Sequence, residues 1–281
     1  MTDAFGSRLR EAFGTRGQLC VGIDPHSGLL GAWGLPDSAG GLREFGMRVV
    51  DAAAGRAGIV KPQIAFFERH GSAGYAALEE VLAAARAAGL LVIADVKRGD
   101  LGTSVDAYGE AWLTPGSSLE ADAMTAVAYQ GLGSLTGVLD LAAASGKGVF
   151  VLAATSNPEA FATQTATRAD GLSVAAGVVA DVAVRNAASR EPGLGSTGVV
   201  VGATIALADL GLSESLLAGM PVLAPGFGHQ GARIDQLSEL FGSAAQNVVV
   251  SASRSILSAG PSGLEAAIDD AVSQVMAACR E

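Results

Sequence analysis

Short apolar runs recur along the chain, and most are followed by an Ala-rich stretch with helical spacing. The runs are Leu19–Ile23, Gly58–Val60, Leu90–Ala94, Ala123–Val127, Val149–Ala153, Val199–Val201, Val222–Ala224 and Val248–Val250. Leu90–Ala94 carries no polar side chain along its length, as expected of a parallel strand buried on both faces. The stretches Gly41–Ala54, Gly74–Ala88, Ser173–Ala188 and Pro261–Cys279 predict helices. Strand–helix alternation repeated in this way predicts an α/β fold of the closed (β/α)₈ TIM-barrel type. A doubly wound open sheet is the alternative, but no Gly-x-Gly-x-x-Gly opens the first helix. No composition shift or linker divides the chain, so residues 1–281 are expected to form one domain. Thr114–Ser118, Thr163–Gly171 and Ser189–Gly198 then read as long loops inside it.

The polar residues that follow these runs sharpen the picture. The first run is followed by Asp24-Pro25-His26 and the second by Lys61-Pro62-Gln63. The third delivers Asp95, Lys97 and Asp100, and the fifth Thr155-Ser156-Asn157-Pro158. The seventh ends in Pro225-Gly226-Phe227-Gly228-His229-Gln230-Gly231, and the eighth in Ser253-Arg254-Ser255. All would stand at C-terminal strand ends, the face where such barrels keep their chemistry. Asp95 and Lys97 are two residues apart, so on extended backbone they share a face and can touch. The bland reading of Asp-x-Lys-x-x-Asp alone is a solvated strand-to-helix turn. The last two loops resemble a phosphate grip. Glycines 226, 228 and 231 admit close approach of backbone amides to an anion, Gln230 offers a side-chain amide, and Arg254 a forked guanidinium. His229 reads as a loop residue.

Composition narrows the setting. Hydrophobic residues make up 49% of 281, enough for a sizeable core, while aromatics are only 5%, which suits close helix-on-strand packing. No apolar run is long enough to span a bilayer, and Met1–Gly14 reads as an amphipathic helix around Phe5, Leu9 and Phe13 rather than a signal peptide. Cys20 and Cys279 lack metal-ligand spacing and read as thiols in a reducing cytoplasm. The net charge of −10 argues against nucleic acid or an anionic membrane as partner. It also means that an anionic substrate must be met by a few concentrated cations.

Lys61, Asp95, Lys97 and Asp100, with Asp24 nearby, supply such cations among carboxylates. At an effective dielectric near 20, each contact at ~4 Å is worth about 4 kcal/mol before desolvation. Such an array keeps Lys97 charged, fit to act as an acid rather than as a Schiff-base amine. A lysine among the carboxylates also supplies the charge that a metal would otherwise bring, so the expectation is chemistry without metal.

Taken together, Asp24-Pro, Lys61-Pro, Asp95-Val-Lys97-Arg-Gly-Asp100-Leu-Gly, Thr-Ser156-Asn-Pro, Pro-Gly-Phe-Gly-His-Gln230-Gly and Ser-Arg254-Ser-Ile resemble the orotidine 5′-phosphate decarboxylase family, in its longer bacterial branch with Lys-Arg-Gly-Asp. The likeness extends from Asp24 to Ile256, with the motifs in family order. Leu101 replaces the family's usual Ile, and Ala128-Tyr129 stands where many relatives have Asn-Pro-Tyr, so that loop receives no role. The resemblance implies decarboxylation of orotidine 5′-phosphate to UMP and CO2 in pyrimidine biosynthesis, without cofactor. It implies a charged tetrad of Lys61, Asp95, Lys97 and Asp100, with Lys97 as proton donor to C6 and Asp95 beside the departing carboxylate. It implies a homodimer in which Asp100 and Ser104 serve the neighbouring site. Asp24 and Lys61 would hold ribose hydroxyls, Ser156 the pyrimidine edge, and Gln230 and Arg254 the phosphate. The alternatives are a Mg²⁺-dependent sugar-phosphate decarboxylase or aldolase of the same barrel superfamily, disfavoured by Thr-Ser-Asn-Pro, and a non-catalytic nucleotide binder.

Overall fold

Parallel strands close on themselves in chain order: β1 (Leu19–Ile23), β2 (Ile59–Pro62), β3 (Leu91–Arg98), β4 (Ala123–Ala126), β5 (Gly148–Ala154), β6 (Thr197–Val201), β7 (Val222–Pro225) and β8 (Val248–Ala252), with β8 pairing back to β1. This computed structural model describes residues 3–189 and 193–279. Met1 and Thr2 of the expected N-terminal helix, residues 190–192 of the expected loop Ser189–Gly198, and Arg280 and Glu281 lie outside the described residues. Each apolar run coincides with a strand. Helices stand at Ala39–Ala53, Gly71–Ala87, Val174–Ala188 and Gly260–Ala278, as the periodicity predicts. Gly102–Leu113, Thr136–Ala144 and shorter helices such as Glu214–Leu217 and Leu237–Phe241 also belong to the outer layer. The stretch Thr163–Gly171, expected to be loop throughout, begins inside a short helix, Phe161–Gln164.

Alternation along each strand divides the apolar residues into two cores. Val21, Val60, Val92, Met124, Val149, Val199, Val222 and Val250 face outward into the layer shared with the helices. Cys20, Ile59, Ile93, Ala123, Phe150, Val200, Leu223 and Val249 face inward and fill the barrel. Burial on both faces is why the strands read as unbroken apolar runs. The helix Phe5–Arg16 closes the barrel's N-terminal end by adding Phe5 and Leu9 to the inner core, where the Phe5 and Phe150 rings meet edge to face at 5.9 Å. Arg8, on the same helix, pairs with Asp122, which accepts the Val92 N–H at 2.9 Å. With that end plugged, only the C-terminal end of the barrel can open.

β3 departs from the expectation that it stops at Ala94. It continues to Arg98 through a bulge against β4, where register jumps from Ala94↔Met124 to Arg98↔Ala126. Lys97 lies within the bulge at φ 47°. Polar residues can extend this buried strand because partners inside the barrel satisfy them.

Candidate active site

The inward alternation that fills the barrel also builds the site. Two residues beyond Ile59, Ile93, Ala123, Phe150 and Val249 stand Lys61, Asp95, Thr125, Leu152 and Ser251, and all five line one cavity of about 320 Å³ at the C-terminal end. That volume suits a small molecule. Lys97 lines the same cavity from the β3 bulge, and Asp24, Gln63, Gln230 and Arg254 line it from just beyond the strand ends.

Asp95 is the centre. Its Oδ2 accepts from Lys61 Nζ and from Gln63 Nε2, both at 3.0 Å. Its Oδ1 accepts from Lys97 Nζ at 2.6 Å and from the Thr125 hydroxyl at 2.9 Å. Asp95 and Lys61 are buried, whereas the Lys97 side chain is 44% exposed and available to a bound molecule. The expected contact between Asp95 and Lys97 is present, though extended backbone is not its cause. Lys97 has left-handed dihedrals, and the bulge turns its side chain back onto Asp95.

Burial is the largest influence on both buried members, and it opposes charge on each. Facing charges overturn it. The Lys61 pKa stands above its ordinary value because Asp95 and Asp24 outweigh burial. The Asp95 carboxyl stands well below the usual carboxylate range because the charges and hydrogen bonds of Lys61 and Lys97 outweigh burial. Just below, burial pushes the Cys20 thiol up to about 12, so it packs as an inert apolar group. Asp24 brings a second carboxylate, whose Oδ1 is buried without a hydrogen-bond partner among the described residues. Such an atom is costly unless a ligand hydroxyl reaches it.

The opposite wall is the pair of loops after β7 and β8. Gly228 has φ 77°, and a Cβ there would lie 2.7 Å from Ser255, so glycine permits both the turn and the contact between loops. The Gly228 N–H donates to Ala232 O at 2.8 Å and the Gly231 N–H to Gly228 O at 3.0 Å. These two amides therefore shape the loop, which leaves the approach to an anion to its other backbone amides. Arg254 stands at the cavity edge, exposed and without an ion pair among the described residues. A guanidinium so placed can grip an anion.

Asp24, Lys61, Asp95, Lys97, Gln230 and Arg254 are thus brought together. Asp100, Ser104 and Ser156 do not line the cavity. Asp100 Oδ1 accepts the Leu101 N–H at 2.9 Å, Ser104 is exposed on the helix Gly102–Leu113, and Ser156 is exposed beside Gly202. His229 does line the cavity. Three other polar residues that received no role are engaged elsewhere. His26 accepts the Leu29 N–H at a helix start, Arg98 pairs with Glu68 and stacks over Tyr108, and Arg233 pairs with Asp235.

Sequence reasoning missed Thr125 and Gln63 as partners of Asp95. A signal existed for Thr125, since it is the single hydroxyl in the otherwise apolar Ala-Met-Thr-Ala of β4. Gln63 had only its place after the Lys61-Pro62 strand end.

The sequence profile of the orotidine 5′-phosphate decarboxylase / HUMPS family matches residues 17–268. Orotidine 5′-phosphate decarboxylase of Salinispora tropica is 49% identical over 280 residues, covering 99% of this chain and 98% of the relative. That of Streptomyces coelicolor is 51% identical over 259 residues, 92% of this chain and 91% of the relative. Among solved structures, a Streptomyces avermitilis protein provisionally named an orotidine 5′-phosphate decarboxylase superposes with a TM-score of 0.94 at 47% identity, covering 100% of this chain and 97% of that one. The OMP decarboxylase of Leishmania donovani superposes at 0.80 with 27% identity, covering 99% of each chain.

Proposed function

The chain belongs to the orotidine 5′-phosphate decarboxylase / HUMPS family, and on that footing we propose that it converts orotidine 5′-phosphate to UMP and CO2, a carboxy-lyase step of pyrimidine biosynthesis. The observation that carries the reading is the Lys61–Asp95–Lys97 array in the barrel mouth, across the cavity from Arg254.

In this reading Arg254 and Gln230 hold the phosphate, and Asp24 and Lys61 hold the ribose hydroxyls. The Asp24 Oδ1, buried and without a hydrogen-bond partner among the described residues, supports that role for Asp24. Ser156, which does not line the cavity in this structure, reads the pyrimidine edge by the family resemblance alone. The carboxylate at C6 then lies beside Asp95, whose four donors prevent it from turning away. Breaking the C6–carboxylate bond leaves an electron pair at C6. Lys97, charged and accessible, stabilises that pair and donates its proton to it, giving UMP. Repulsion between Asp95 and the substrate carboxylate adds ground-state destabilisation, and phosphate binding energy is used at the reacting centre. No step calls on a metal or cofactor, and the whole chain, residues 1–281, acts as one domain.

The reading extends to a homodimer with shared sites. Asp100 and Ser104 do not line their own cavity, and the apolar side chains of Leu101, Tyr108 and Tyr129 stand exposed on the same segments after β3 and β4. A second copy placed there covers them and receives Asp100 and Ser104 at its own site. A cytoplasmic location goes with the reading, which the free thiols Cys20 and Cys279 suit. No helix among the described residues is long and apolar enough to cross a membrane.

The direct test follows orotidine 5′-phosphate by ultraviolet absorbance with purified protein pretreated with EDTA. Turnover at full rate in chelator is the expected result. Turnover that needs added Mg²⁺, or none, would overturn the proposal.

A further inference from the structure

Lys97 is the one described residue other than glycine with a positive φ, a conformation that any residue with a Cβ holds at a cost. Something must hold it there. Where β3 passes β4, the stretch from Ala94 to Arg98 spans only Met124 to Ala126, so the bulge places extra β3 residues opposite one β4 residue, Thr125. The Thr125 side chain is 1% exposed. Its Oγ1 accepts the Lys97 backbone N–H at 2.9 Å and donates its own proton to Asp95 Oδ1 at 2.9 Å. Lys97 Nζ returns to the same Oδ1 at 2.6 Å. A ring is thereby closed: Lys97 N–H donates to the hydroxyl, the hydroxyl to the carboxylate, and the Lys97 ammonium to that same carboxylate.

The polarity of the ring has one solution. An amide N–H can only donate, so the hydroxyl must accept from it, and its single proton goes to the carboxylate. Accepting one bond strengthens the other that it donates. A methyl in place of the hydroxyl would fill the same space but leave a part-buried N–H unpaired and Asp95 short of one donor. Both losses favour relaxation of the bulge, which carries the ammonium away from the carboxylate.

We infer that Thr125 is a positioning residue for Lys97: its hydroxyl latches the β3 bulge and thereby sets where the ammonium stands. The inference rests on reading Lys97 as the proton donor. Thr125 itself touches no reacting atom in this account.

Thr125→Val removes the hydroxyl at nearly constant shape, and Thr125→Ser restores it with less packing. For the valine variant kcat on orotidine 5′-phosphate is expected to fall about ten- to a hundredfold, the worth of one hydrogen bond to a charged group. KM and the UMP dissociation constant should stay within about threefold, because ground-state contacts are untouched. The serine variant should recover most of kcat. A crystal structure of the valine variant supplies a readout independent of turnover, with Lys97 expected to leave the left-handed region or its ammonium to leave Asp95. If the valine variant does not fold, Thr125→Ala carries the same test. An undiminished kcat with Lys97 unmoved overturns the inference. So does a serine variant as impaired as valine, or a loss confined to KM. If wild-type protein shows no turnover, the decarboxylase reading alone has failed, and the position of Lys97 in the variant crystal still decides the latch.

Discussion

Lys61 Nζ lies 3.0 Å from Asp95 Oδ2, and the two side chains are only 7% and 9% exposed. Neither charge is tolerable there alone, and Asp95 also neutralises Lys97. Replacing Asp95 by asparagine keeps the shape but leaves two ammonium groups facing a neutral amide. Breaking a buried pair from one side costs about 3–5 kcal/mol. Urea unfolding of Asp95→Asn is expected to show a loss of that order. A loss under about 1 kcal/mol, the range of exposed pairs, would mean that solvent screens the array.

Lys97→Ala should abolish decarboxylation while UMP still binds. One preorganised electrostatic group is worth on the order of 10²–10³ in rate, and here the proton donor goes with it. Stopped assays at high enzyme concentration and UMP titration measure the two halves separately. Retention of more than about a tenth of kcat would remove Lys97 from the centre of the mechanism.

Arg254→Ala should act through the phosphate. The guanidinium has no ion pair among the described residues, so its loss breaks no salt bridge there. Transition-state binding of orotidine 5′-phosphate should weaken by about 1.5–3 kcal/mol, read from kcat/KM. The bare nucleoside orotidine should change little. Equal losses on both substrates would make Arg254 a structural residue.

Borrowing of Asp100 across a dimer can be tested by complementation. Inactive Lys97→Ala and Asp100→Ala homodimers are unfolded and refolded together. Random pairing makes about half the dimers mixed, each with one intact site, so roughly a quarter of wild-type activity should return. If Asp100 serves its own subunit, no site in the mixture regains both groups and activity stays absent.

A pH effect is expected on the rim. The Asp37 carboxylate accepts hydrogen bonds from Arg69 (3.1 Å to Nη1) and from Ser27 at 2.8 Å, and it lies 3.1 Å from His70 Nε2. The Arg69 bond foremost holds its pKa down from 3.8 to about 2. A depressed folded pKa contributes stability that is complete above the unfolded value and is lost as pH falls through the folded one. The stability gap between wild type and Asp37→Asn should therefore narrow as pH falls below about 4. Unfolding series at pH 6 and pH 3 give the gap at each end; an equal gap at both would show that the contact is absent in solution.

Much of the architecture was determined by sequence alone. A parallel barrel buries both faces of every strand, so each strand appears as an unbroken apolar run, and polarity resumes where the strand leaves the core. That is why Asp24, Lys61, Asp95 and Arg254 were all legible as one C-terminal face, and why the family motifs fell into register. The period-2 rule carried Lys61 and Asp95 inward directly above Ile59 and Ile93. What tertiary structure alone decided are contacts that depend on how strands are staggered. Thr125 and Gln63 meet Asp95 from positions 30 and 32 residues away, through barrel closure and not through any local spacing. In the bulge that turns Lys97 back onto Asp95, a β4 hydroxyl stands at the height where it accepts the Lys97 N–H. Arg98, in the same charged motif, is drawn outward to Glu68 and Tyr108, and Gly228 and Gly231 spend their amides on their own loop. Local sequence sets which residues are polar and which face of a strand they take; the barrel's register sets which of them can reach one another.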